Sequence, residues 1–160
     1  MVAIRPARPE DAEAIRETAL ASWHAAYDDL LGGETVEALV EEWYALDGLR
    51  ESIEHPEHVV RVADDVVGFA HIGPNPNEEH VAELLRLYVR PKRWGEGIGS
   101  RLLAAVEGEL ADYDRLTLSV LAENEVGIGF YEKRGFEREG EREVEVGGES
   151  YREYRYGKGI

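Results

Sequence analysis

Residues 84–103 read LLRLYVRPKRWGEGIGSRLL, and the rest of the chain is best understood outward from them. Leu84 to Val89 is a short apolar run of the kind that forms a buried strand, and Pro91 interrupts it. Gly95, Gly97 and Gly99 then lead directly into an amphipathic helical pattern that carries Leu102 and Leu103. Glycines at a strand-to-helix turn let successive backbone N–H groups converge, and the helix behind them adds unpaired donors and the positive end of its dipole. Such a turn cradles an anion, and a diphosphate fits it.

Two common owners of glycine-rich turns are excluded by the residues on the C-terminal side of the glycines. A nucleoside-triphosphate loop needs Lys and then Ser or Thr after its last Gly, whereas Gly99 is followed by Ser100 and Arg101. A dinucleotide turn needs G-x-G-x-x-G and an acid near the end of the next strand. Gly95, Gly97 and Gly99 are spaced by two, and the next strand-like run, Leu116 to Leu121, ends without that acid.

The segment resembles motif A of the Gcn5-related N-acetyltransferases, whose pyrophosphate loop reads Gln/Arg-x-x-Gly-x-Gly/Ala. Gly97 and Gly99 take the two small positions with Ile98 between them, while Trp94 stands where Gln or Arg is expected. Asn124 to Phe136, NEVGIGFYEKRGF, is similar to the family's motif B, in which an Asn opens a helix and a Tyr sits one turn before its Gly-Phe end. Asn124 is a good N-cap, Lys133 and Arg134 suit the negative end of the dipole, and Gly135 suits a left-handed cap. The two blocks occur in the family's order, separated by a helix and a strand.

The resemblance implies a mixed αβ acyl-CoA N-acyltransferase fold, a central, mostly antiparallel mixed sheet flanked by helices, over one domain spanning residues 1–160. It implies acetyl transfer from acetyl-CoA to a primary amine by direct attack, with no metal. By the same resemblance the diphosphate falls to Trp94, Gly95, Glu96, Gly97, Ile98, Gly99 and Ser100. The main chain of Val89 supplies an oxyanion donor, Leu87 faces the pantetheine arm, and Asn124 and Tyr131 meet the cofactor from the other side. Tyr131 is the expected general acid for the departing thiolate. By the resemblance Glu83 is the expected base, taking a proton through water: it lies fourteen residues before Gly97, an offset similar to that of the base Glu in the family's histone-modifying branch, where an Ala-Glu pair also opens the strand as Ala82-Glu83 does here. Ordered water alone, His71, His80 and Tyr27 are the other candidates. The contrasting reading is an acyl-CoA-binding regulatory or interaction module with a degenerate site.

Composition narrows the partners. The chain has 160 residues and no Cys, which excludes a disulfide scaffold, a thiol nucleophile and cysteine-ligated metal. Its five His show no metal-ligand spacing, and no long apolar span or apolar leader is present, so a soluble cytoplasmic protein is expected. There are 34 acidic residues against 18 basic, a net charge of −16, which disfavours nucleic acid. Either this acidity attracts a cationic acceptor, or the surface is adapted, in halophilic fashion, to a cytoplasm of high salt where the Debye length shortens to ~3 Å near 1 M. The acceptor is an unidentified small-molecule or peptide amine, and the chain is expected as a monomer or homodimer.

The other elements follow from periodicity. Val2 to Arg5 reads as a strand, and Pro9 opens a helix with Ala12, Ile15, Ala19 and Trp23 on one face. A second helix is predicted from Glu34 to about Ile53 after Gly32-Gly33. A hairpin, His58–Ala63 with Val66–Ile72, precedes a turn-rich loop and a strand from His80 to Val89. Helices are predicted over Ser100–Leu110 and Asn124–Arg134 around a strand at Leu116–Leu121. A last hairpin, Phe136–Val146 with Glu149–Tyr156, closes at Gly147-Gly148. Trp23, Tyr27, Trp43 and Tyr44 either pack in the core or line an acceptor pocket. Gly127 and Gly129, costly in a helix, point to close approach of the cofactor or to fraying.

Overall fold

The computed structural model describes residues 2–160. Seven strands form one sheet in the order β1-β2-β3-β4-β5-β7-β6, where β1 is Ile4–Pro6, β2 Val59–Ala63, β3 Gly68–Pro74, β4 Val81–Val89, β5 Arg115–Leu121, β6 Glu137–Val146 and β7 Glu149–Gly159. Every neighbouring pair is antiparallel except β4 with β5. One face carries α4 (Ile98–Glu107) and α5 (Glu125–Lys133), with Leu102, Leu103 and Val106 of α4 buried against Ala70, Leu84, Leu116 and Leu118. The other carries α1 (Ala12–Leu31), α2 (Gly33–Trp43) and α3 (Leu46–Glu54), packed through Ile15, Ala19, Leu39, Val40 and Leu49 onto Val60, Val62 and Phe69. Each fully buried aliphatic side chain contributes about 1.5–3 kcal/mol relative to exposure.

The helix predicted from Glu34 to Ile53 is in fact two. Tyr44 leaves the helical region at φ −118°, ψ 35°, and Ala45 is extended at ψ 135°. Breaking there lets the Tyr44 ring, only 2 % exposed, meet Phe69 edge-on at 6.4 Å, while α3 restarts with Leu49 facing inward. No Gly or Pro marks this break; packing makes it.

Two features of β4 position the site. His71 pairs with Arg86 and Ile72 with Leu84, which leaves Leu85 unopposed in a β-bulge. The bulge resets the alternation, so Ala82, Leu84, Leu87 and Val89 all face α4 and α5, while Arg86 and Tyr88 face the first three helices. Second, β4 and β5 pair only over Val81–Glu83 and Arg115–Thr117. Both strands continue, to Val89 and Leu121, without pairing, and a gap opens between them. The start of β4 at Val81, not His80, follows from a positive φ of 62° at His80.

Candidate active site

The gap exposes main-chain groups that a sheet would otherwise pair. Arg90 donates its N–H to Val67 O at 2.8 Å, and Val89 stands opposite Gly68. Antiparallel alternation therefore turns the N–H and C=O of Val89, and those of Leu87, away from β3 and into the gap. The Val89 carbonyl is answered there by two side chains, Ser22 Oγ at 2.8 Å and Trp94 Nε1 at 2.7 Å. Its N–H has no strand beside it.

At the mouth of the gap lies the glycine turn. Gly95 and Gly97 have φ of +84° and +80°, a left-handed conformation that a β-carbon penalises, and Gly97 is the N-cap of α4 without any side-chain cap. The first bond closing the helix runs from Arg101 N–H to Gly97 O at 3.2 Å, which leaves the N–H groups of Ile98, Gly99 and Ser100 free of intrahelical partners. A β-carbon on Gly99 would press on the Phe130 ring at 3.2 Å. Glu96 folds back onto Arg93 Nε at 2.9 Å, so its charge is partly neutralised beside the turn. Trp94 does not point at the turn's donors, because its indole N–H is committed to Val89.

Sequence reading missed Arg134. Its Nε donates to Ser100 Oγ at 3.0 Å and its Nη1 to Phe130 O at 2.8 Å, with the guanidinium 3.6 Å above the Phe130 ring. None of these contacts is with a carboxylate, so a cation stands uncompensated beside an uncapped helix start. Free N–H groups, a turn without β-carbons and Arg134 suit a diphosphate in geometry and charge. Its signal in the sequence was the motif B block, where it read only as a charge at a helix end.

Asn124 caps α5 by accepting the Gly127 N–H at 2.9 Å, and its amide donates to the Tyr27 hydroxyl at 3.0 Å. A β-carbon on Gly127 would lie 2.7 Å from the Asn124 amide nitrogen, which accounts for this glycine without cofactor contact or fraying. Tyr131, farther along α5, packs edge-on against Phe130 and Phe136. Its phenol is raised above the ordinary value by removal from water, with Tyr27 and Tyr44 adding to the effect, so it keeps its proton at neutral pH. Burial likewise pushes Tyr27 up to about 12, against the Asn124 hydrogen bond and with Glu123 and Glu153 nearby.

Glu83 does not stand free as the expected base would. Arg155, on β7, grips both of its oxygens at 2.7 and 3.1 Å, and Thr117 donates its hydroxyl to the same carboxylate. Arg155 also reaches Ser119 at 2.7 Å, so Glu83 ties β4, β5 and β7 together where the gap begins. His71 lies away from the gap against His58, their ring nitrogens 2.8 Å apart. Trp23, Tyr27 and Tyr44 are buried, whereas Trp43 is 43 % exposed.

A sheet parted between two parallel strands, with an uncapped glycine turn at the opening, fits the acyl-CoA N-acyltransferase fold that the two motifs imply. A family profile described as the Acetyltransferase (GNAT) family matches residues 13–136, and the chain belongs to that family of acetyl-CoA-dependent N-acetyltransferases. It is 31 % identical over 147 residues to a spermidine N(1)-acetyltransferase of Thermoplasma acidophilum, covering 86 % of this chain and 89 % of that relative. Among solved structures it is similar to a PaiA N-acetyltransferase of the same organism in complex with coenzyme A, with a TM-score of 0.86, 27 % identity and coverage of 100 % and 99 % of the two chains. It is also similar to apo YjaB of Escherichia coli, with a TM-score of 0.70, 28 % identity and coverage of 98 % and 97 %. Among the described residues no helix is long and apolar enough to cross a membrane, and no group of three or more His, Asp or Glu is placed to hold a metal ion.

Proposed function

We propose that the gap between β4 and β5 takes acetyl-CoA from the α4 side, and that a small-molecule primary amine, with polyamines foremost, attacks the thioester directly from the side of α1 and α2. The observation that carries this reading is that the free N–H groups of α4 and the Val89 N–H open onto the same gap. Acetyl-CoA supplies an activated acetyl group whose carbonyl gains negative charge as the amine adds. The Val89 N–H is aimed where such a charge develops, and the turn from Gly95 to Ser100 with Arg134 holds the diphosphate. Tyr131 keeps its proton until a thiolate needs it. A polyamine acceptor is supported by the spermidine-acetylating relative and by the exposed Glu123, which lies close enough to bear on Tyr27.

Both oxygens of Glu83 are already engaged by Arg155 and Thr117, so the amine's proton leaves through ordered water. The test is an amine panel with acetyl-CoA, read by thiol release. Polyamines should be acetylated ahead of amino acids and peptides; an acceptor that carries its own carboxylate and outruns them would sink the substrate class. Glu83→Gln should keep the acidic limb of the pH–rate profile. Loss of that limb together with a drop on the order of 10²-fold would restore Glu83 as the base.

A further inference from the structure

Helix α1 carries two buried polar residues one turn apart, Thr18 and Ser22, in a stripe that is otherwise Ala12, Ile15, Ala19, Trp23 and Tyr27. Polar groups this deep have partners, and both partners lie around the end of β4. Thr18 donates to Val66 O at 2.6 Å and receives Arg90 Nε at 3.1 Å, while Ser22 donates to Val89 O at 2.8 Å. From the opposite side Trp94, which replaces the Gln or Arg of the motif, gives its indole N–H to the same oxygen at 2.7 Å. The peptide joining Val89 to Arg90 is therefore pinned at both ends, its N–H on Val67 O and its C=O between Ser22 and Trp94.

We infer that Ser22 and Trp94 are positioning residues which, by jointly holding the Val89 carbonyl that β5 leaves unpaired, aim the Val89 N–H at the acyl group. This rests on the acetyl transfer proposed above. A carbonyl has two lone pairs, and one donor is enough to satisfy it; only when both donors are gone is the oxygen left to seek water or turn the peptide. Ser22→Ala and Trp94→Phe should therefore each be mild, and the pair together should lose more than the product of the two.

The experiment measures coenzyme A affinity by calorimetry, acetyl transfer to the best amine of the panel, and the Val89 amide resonance in valine-labelled protein during an acetyl-CoA titration. Each single variant should lower kcat by less than about threefold and the double variant by about thirtyfold or more, the synergy expected of a carbonyl stripped of its last donor. Coenzyme A affinity should stay within about threefold, because the diphosphate contacts are untouched. The Val89 amide shift seen on acetyl-CoA addition should shrink in the double variant, and in the Trp94→Phe background Ser22→Thr, which keeps the hydroxyl, should hold kcat near that of Trp94→Phe alone where Ser22→Ala does not. Additive losses, a loss confined to affinity, or tighter coenzyme A binding by Trp94→Phe would overturn the inference, the last by showing that the indole stands in the cofactor's path. Failure of the unaltered protein to bind coenzyme A would instead sink the proposed function.

Discussion

His71 is where acidity acts on single-residue stability. Its ring is 3 % exposed, Nε2 is spent on His58, and Nδ1 is buried without a partner. Burial, then Arg86, then His58 push its pKa down to about 3. In the unfolded chain a His titrates near 6.5, so below that pH the unfolded state binds the extra proton and stability falls as pH falls from about 6.5 toward about 3. The expected slope from this residue is about 1.4 kcal/mol per pH unit below pH ~6. Urea midpoints taken at pH 7 and pH 5 should drop in the wild type and drop less in His71→Gln; equal drops would assign the acid sensitivity elsewhere. Legibility in the sequence divides here by distance along the chain. Gly97, Asn124 and Gly135 announced themselves because a left-handed turn and a helix cap are made by neighbours. Glu83 misled because its partner Arg155 is 72 residues away, and Trp94 because the oxygen it serves is visible only once β5 has parted from β4.

Among the elements, α5 carries the sharpest test. Alanine favours a helix over glycine by about 1 kcal/mol, so Gly127→Ala read from propensity alone would stabilise. The structure reverses the sign, because the new β-carbon would meet the Asn124 amide, which is held at one end by the Gly127 N–H and at the other by Tyr27. Gly127→Ala is expected to cost roughly 1 kcal/mol through loss of the cap. In an Asn124→Ala background the same change should become stabilising. Thermal melts of the four proteins check this, and a Gly127→Ala variant that melts above wild type would refute the packing account. Most elements and their order were legible from periodicity. The break at Tyr44 was not, because it serves a contact with Phe69 and leaves no mark in local propensity.

For the whole molecule, the excess of acids is the dominant electrostatic fact. Cross-strand pairs such as Arg142 with Glu153 at 2.7 Å on the last hairpin use some of the bases, and the net charge of −16 remains. Like charges spread over one small surface repel, and molar salt shortens the reach of that repulsion to ~3 Å. We propose that the surface is adapted to high salt, and the melting temperature should rise between ~0.1 and ~2 M KCl. A flat or falling curve would favour attraction of a cationic acceptor as the purpose of the acidity, with acetylation of a polyamine then weakening steeply over the same range.

The short seam between β4 and β5 has a consequence for how the chain could be cut. Three residues on each side carry all the strand pairing between β1–β4 and the trio β5, β7 and β6. The connection between the two parts runs through residues 108–114, where Leu110 is buried in the core and Ala111 and Asp112 are exposed, at the far end of α4 from the glycine turn. Severed there and produced as two pieces, the protein would have to reassemble by side-chain packing, and the anion cradle, with its turn on one piece and Arg134 on the other, would make coenzyme A the mortar between them.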